Sequence, residues 1–171
     1  MKQRNNLKIF LLLMMVALNV GCDQVSKNIV RDKIAYGETI SIIKDNFILT
    51  KVENTGAFLS AGNNLPDTVR FILLTILPIL VLGYGLFYLI YKINLPKPMQ
   101  IGLCFLIGGG IGNIYDRVKF GSVTDFMHID FGLFRTGVFN FADVSIMIGI
   151  GILFLLSFQK KVVKNDEETE I

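Results

Sequence analysis

Tryptophan is absent, histidine occurs once (His128), and the only two cysteines, Cys22 and Cys104, stand far apart. One histidine and two separated thiols supply neither a zinc ligand set nor a Cys–His nucleophile pair. The thiols build no disulfide framework; both lie in apolar segments and read as small buried side chains. Charge is sparse, at 18% of residues and a net +3, and no basic patch with interleaved aromatics marks a nucleic-acid surface. Only four prolines occur, and no low-complexity tract or solenoid repeat is present. A Gly-x-Ser-x-Gly elbow and a phosphate-cradling Walker loop are missing as well. What is plentiful is apolar: 52% of residues are hydrophobic and the mean hydropathy is +0.55, an excess too large for an ordinary soluble domain.

Crossing a bilayer takes about 20 mostly apolar residues. Four segments qualify, at about 5–27, 69–91, 99–117 and 139–158. The second contains Pro78, which is expected to kink it. The third holds Gly102, Gly108, Gly109, Gly110 and Gly112, and such small residues let helices approach closely, so it is expected to pack centrally. In the first, Leu18-Asn19-Val20-Gly21-Cys22 resembles a lipobox, but Asn19 stands where an aliphatic residue belongs; the segment reads as a retained helix. Three basic clusters (Lys2, Arg4 and Lys8; Lys92 and Lys97; Lys160, Lys161 and Lys164) fall on one side, which the positive-inside rule makes cytoplasmic together with both termini. Segments 28–68 and 118–138 are then periplasmic. Within them Thr39 to Ile43, Phe47 to Val52, Val123 to Phe131 and Leu133 to Phe139 read as short strands, with Lys44-Asp45-Asn46 as a turn. The expected fold class is an all-α membrane protein with four transmembrane helices plus a small periplasmic β-sheet and a loop or lid, forming one polytopic domain over 1–171.

Polar side chains at membrane spans are costly and mark function. Here Asp23 and Lys27, Asn113, Asp116 and Arg117, Asn140 and Asp143, Asp125 and Asn54 all fall at the outer face. Coupling residues of a transporter belong near the midplane; this pattern fits a site at the outer interface. With no other nucleophile or metal set in view, carboxylates remain. Two that meet cannot both ionise, so one activates water while the other hydrogen-bonds the carbonyl under attack. Each acid also has a structural reading. Asp116 can pair with Arg117, Asp23 with Lys27 one turn on, Asp143 can cap a helix, and Asp125 can be a plain loop acid. The residues alone leave the pair open among Asp23, Asp116, Asp125 and Asp143.

Five blocks in order carry a resemblance: Asp23-Gln24-Val25-Ser26-Lys27; Asn54-Thr55-Gly56-Ala57; Gly108-Gly109-Gly110-Ile111-Gly112-Asn113-Ile114-Tyr115-Asp116-Arg117; Val123-Thr124-Asp125-Phe126; and Phe139-Asn140-Phe141-Ala142-Asp143. On these the chain resembles the lipoprotein signal peptidase family (signal peptidase II). The resemblance spans the first to the fourth segment. It implies an aspartic endopeptidase of the bacterial inner membrane that cleaves diacylglyceryl-prolipoproteins before the lipid-modified cysteine. It implies Asp125 and Asp143 as the catalytic pair, and Asp23, Lys27, Asn54, Gly56, Asn113, Asp116, Arg117 and Asn140 as substrate-binding or bracing residues. It further implies inhibition by globomycin. From the residues themselves no metal or cofactor is expected, membrane lipids are expected around the spans, and a monomer is expected because nothing requires more. Asp143, in the first turn of its span, is expected to be the more ionised of the two. One departure is visible: Phe58 follows Ala57 directly, where many members carry another small residue. A small membrane transporter or a non-catalytic membrane scaffold is the alternative function.

Overall fold

The protein is described here from a computed structural model. The structure describes residues 2–44, 46–57, 62, 65–92 and 94–169, with side chains from 5 to 158. Asp45 of the expected turn, Phe58, and the side chains of Lys2, Arg4, Lys160, Lys161 and Lys164 lie outside the described residues.

Four long helical stretches and one small sheet make up the chain. Helix α1 is Lys2–Lys33, and strands β1 (Thr39–Ile43) and β2 (Phe47–Asn54) follow. Helix α2 covers Asp67–Tyr91, α3 is Lys97–Phe120, β3 is Val123–Ile129, and α4 is Phe141–Thr169. α1 therefore ends at Lys33 rather than near 27, and the segment between the first two long helices is shorter than the expected 28–68. The proline expectation has a specific outcome. Pro78 cannot donate to the carbonyl four residues back, and α2 widens into a π-helical turn at Ile72–Ile76, where the Leu77 N–H bonds to Ile72 O.

Among the described residues, Asn5–Lys33, Asp67–Tyr91 and Phe141–Phe158 are long and apolar enough to cross a membrane. Their large side chains face outward, as with Leu80, Val81 and Phe87, which suits a lipid surround. α3 was expected as a fourth span. Its 24 residues are long enough, but Gln100, Asn113, Asp116 and Arg117 leave it less apolar than the others. It packs against each of the other three helices, the central place its glycines predict. A Cβ on Gly108 would lie 2.6 Å from Asn19 Cβ of α1, and one on Gly112 would lie 2.5 Å from Asp23 Oδ2, so α1 and α3 meet at a distance only glycine permits.

One apolar core joins Leu12 and Val16 of α1 to Leu89 of α2 and to Cys104 and Ile107 of α3. Cys22, expected to be buried, is exposed, because its face of α1 points away from the bundle. A second core packs the sheet onto the C-terminal end of α1 through Val30, Ile34, Phe126 and Met127. The sheet is antiparallel with order β1-β2-β3; Val52 opposes Asp125 and Asn54 opposes Val123. The fourth expected strand, Leu133 to Phe139, is absent. Gly132 (φ 78°) turns the chain sharply, and only the single bridges Asp130–Arg135 and Met127–Phe139 remain.

Candidate active site

The site is assembled where α3, β3 and α4 meet. Gly121 ends α3 in the left-handed conformation, its N–H on Arg117 O, and β3 starts two residues later. Beyond β3 the chain loops back, and Phe139 exchanges backbone hydrogen bonds with Met127 in both directions, at 2.8 and 2.9 Å. That return places the start of α4 beside Asp125. Asn140 caps α4. Its Oδ1 accepts from Asp143 N–H at 2.9 Å while Asp143 Oδ2 accepts from Asn140 N–H at 3.2 Å, the reciprocal pattern of a capping box. The cap is thus Asn140, and Asp143 closes it from the first turn.

Asp125, only 3% exposed, accepts from Asn140 Nδ2 at 2.6 Å and from Asn54 Nδ2 at 3.0 Å. Asn54 lies diagonally across the β2–β3 pair, within side-chain reach on the same face. Its amide cannot turn round, because Oδ1 is taken by Gly56 N–H at 2.9 Å. Asp143 Oδ1 accepts from Asn113 Nδ2 at 2.8 Å. Asn113 Oδ1 in turn accepts from Lys27 Nζ at 3.0 Å and from Asn140 Nδ2 at 3.2 Å. Burial pushes the Asp125 carboxyl up to about 6; the negative charge of Asp143 adds to this, and the bonds from Asn54 and Asn140 oppose it.

Joined to this network through Lys27 is a buried ionic cluster. Lys27 Nζ is 2.8 Å from Asp23 Oδ2 and 3.2 Å from Asp116 Oδ2, and all three side chains are fully buried. The expected Asp23–Lys27 pairing is present. The expected Asp116–Arg117 pair is not: consecutive helix residues point apart, so Asp116 faces α1 while Arg117 donates to Gly56 O at 2.9 Å. The second cation at Asp116, beside Lys27, is Arg31, 2.9 Å away and close enough to pair although not aligned as a hydrogen bond. Arg31 also donates to Thr124 Oγ1 at 2.9 Å. Gln24 braces the same place, donating to Asp23, Asp116 and Gly112 O at 3.0 to 3.1 Å, and Asp23 Oδ1 accepts the Ala142 N–H at 2.9 Å. The bracing roles of Arg31, Gln24 and Thr124 were not among the sequence expectations. Arg31 lies one turn beyond Lys27 on the same helix face, the signal that an α1 ending at 27 conceals.

The four acids thus fall into two classes. Asp23 and Asp116 are neutralised by cations. Asp125 and Asp143 are hydrogen-bonded only by amide groups among the described residues, and both line one cavity of about 380 Å³. Asn54, Asn113 and Arg117 line its polar end; Leu74, Pro78, Ile114, Ile146, Met147 and Ile150 line the rest, between α2, α3 and α4. Of the glycines in α3, Gly110 alone lines this space; Gly108, Gly109 and Gly112 are spent on contacts to α1 and α4.

The chain is similar to known proteins along most of its length. The family described as "Signal peptidase (SPase) II" matches residues 15–159. A lipoprotein signal peptidase of Halothermothrix orenii is 36% identical over 148 residues, covering 86% of this chain and 95% of its own. One from Streptococcus pyogenes serotype M1 is 36% identical over 151 residues, covering 88% and 94%. Two solved structures, each described as a bacterial membrane enzyme obtained by the in meso method, share the fold. The first, at 25% identity, has a TM-score of 0.78 and covers 88% of both chains. The second, at 27% identity, has a TM-score of 0.74 and covers 85% of this chain and 90% of its own. A match that runs from α1 into α4, with relatives more than one-third identical along nearly their whole length, leaves one assignment: the chain belongs to the signal peptidase II family, the lipoprotein signal peptidases.

Proposed function

We propose that the protein is an aspartic endopeptidase that removes the signal peptide from diacylglyceryl-prolipoproteins immediately before the lipid-modified cysteine, with Asp125 and Asp143 as its catalytic pair. One observation carries the choice of pair: these two acids share a cavity and are met by neutral amides, whereas Asp23 and Asp116 are consumed by Lys27 and Arg31. Asp143, at the positive end of the α4 dipole, is the base that takes a proton from water. The water oxygen then attacks the carbonyl carbon before the cysteine. Asp125, kept neutral to higher pH by burial, donates its proton to the carbonyl oxygen. Collapse of the tetrahedral intermediate breaks the C–N bond: the proton held on Asp143 passes to the leaving amine, and one hydroxyl of the intermediate returns its proton to Asp125, leaving a carboxylic acid. Each acid thus acts once as proton acceptor and once as proton donor in a turnover.

The surroundings support the same substrate. The apolar end of the cavity, between Leu74 and Met147, suits a signal helix or acyl chain arriving from the membrane. Asn54, Gly56, Asn113, Arg117 and Asn140 bind or orient the peptide, and Asp23, Lys27 and Asp116 brace the helices behind it. In this reading α3 is the fourth transmembrane helix, about 36 Å long at 1.5 Å per residue, and the chain is one polytopic domain. Lys92 and Lys97 mark the cytoplasmic side along with both termini, so the site faces the periplasm from the bacterial inner membrane. Membrane lipids surround a monomer, and globomycin occupies the dyad cavity.

Incubation of the purified protein with a diacylglyceryl-modified prolipoprotein tests this directly. Intact-mass analysis is expected to find a product whose first residue is the modified cysteine. An intact precursor after prolonged incubation with folded protein contradicts the proposal.

A further inference from the structure

A second chamber, of about 210 Å³, opens beside the catalytic cavity. Its polar lining is Thr55, Asp67, Arg70, Thr75 and Arg117. Arg117 and Leu74 line both spaces, so the two adjoin across these side chains. Their characters differ: the catalytic cavity is walled by α2 and α4 side chains of the membrane-facing bundle, whereas the second chamber lies at the N-terminal end of α2, where the Asp67 side chain is 91% exposed. The chamber therefore offers charged and polar groups to whatever part of a peptide lies next to the dyad on this side.

The chamber's own lining carries two guanidiniums against one carboxylate, while Asp143 and Asp125 act on Arg117 from the catalytic cavity next to it. Arg117 is held in place by its Nη2 bond to Gly56 O, and its Nε is buried with no hydrogen-bond partner among the described residues. Arg70 pairs with Asp67, a contact open to water and weakened by it. A fixed guanidinium with a donor to spare and a second cation beside it favour a carboxylate over an ammonium in the same space.

We infer that this chamber is the subsite for the residue following the lipid-modified cysteine, and that Arg117 and Arg70 make it select an acidic side chain over a basic one at that position. The inference rests on the peptidase reading above and adds a specificity to it.

The test uses three synthetic diacylglyceryl-modified peptides that differ only in the residue after the cysteine: Asp, Ser or Lys. Cleavage is followed in neutral detergent, so that no anionic lipid competes for the guanidiniums. The Asp peptide is expected to have a kcat/KM about tenfold above the Lys peptide, with Ser between, the size of two modest charge effects acting in opposite directions. In Arg70→Gln the Asp-to-Lys ratio is expected to shrink to about twofold, and in Arg70→Lys to persist. High salt narrows the ratio in the wild type. The ratio is the readout, so a general loss of turnover in a variant does not imitate the result. Equal kcat/KM for the three peptides, or a ratio unchanged in Arg70→Gln, overturns the subsite and leaves the peptidase standing. Failure to cleave any of the three overturns the peptidase reading and the subsite with it.

Discussion

Asp125 and Asp143 are joined through a single residue: Asn140 gives its side-chain amide to Asp125 Oδ1 at 2.6 Å and its backbone N–H to Asp143 Oδ2 at 3.2 Å. The same amide reaches Asn113 Oδ1, and Asn113 donates onward to Asp143. Lys27 can only donate and a carboxylate can only accept, so Asn113, lying between them, has one satisfying orientation. The polarity of the whole network follows from that, with amide hydrogens directed at both acids.

Asn140→Ala removes the side-chain donor to Asp125 and the cap of α4 together. Its kcat is expected to fall about a hundredfold or more, the scale of losing one preorganised donor, while a loss of about 1 kcal/mol reflects the missing cap. Steady-state kinetics on a lipidated peptide beside thermal unfolding separates the two effects. A variant with normal kcat and reduced stability assigns Asn140 to capping alone.

The pH dependence has a defined sign. Asp125 is raised from 3.8 to about 6 by burial, so its proton is lost as pH rises through about 6, and kcat/KM is expected to decline on that alkaline side. The Asn54 hydrogen bond lowers this value, so Asn54→Leu is expected to move the alkaline limb to higher pH. Stability follows the same group. Between 3.8 and about 6 the native state holds a proton that the unfolded chain has released. The contribution, about 3 kcal/mol, is complete below 3.8 and lost as pH rises through about 6. Unfolding midpoints measured across this range, wild type against Asp125→Asn, isolate it.

The buried ionic cluster makes a different prediction. Lys27→Met leaves Asp23 without a cation, while Asp116 keeps Arg31. Removing one partner of a buried pair costs about 3–5 kcal/mol, so the single variant is expected to unfold well below the wild type. Adding Asp23→Asn neutralises the stranded charge and is expected to restore much of the loss. A double variant no more stable than the single one contradicts the pairing.

Much of this architecture is legible in the sequence. Runs such as Phe71 to Tyr91 announce helices of membrane length, and the glycines of α3 announce a central helix. The β-branched stretches 39–43 and 47–52 announce the first two strands. What escapes is what depends on tertiary partners. The polar end of α1 looks like a loop until Lys27 and Arg31 are seen entering one cluster with Asp116. Residues 133–139 carry strand-like side chains but are diverted by the left-handed turn at Gly132. The choice of acid pair is the clearest case. Position alone makes Asp23, Asp116, Asp125 and Asp143 equivalent candidates. Only the fold reveals that Lys27 and Arg31 reach the first two and that asparagines meet the others. Without that, the choice rested on the family resemblance.

The most direct test of the two-carboxylate chemistry compares Asp125→Asn, Asp143→Asn and the double variant on one lipidated precursor, with binding of the precursor measured separately. Each single variant is expected to bind the precursor yet lose about a thousandfold or more in turnover, and the double variant to lose no more than the worse single, because the two acids act as one unit. Near-normal turnover in either single variant contradicts the assignment of Asp125 and Asp143 as the catalytic pair.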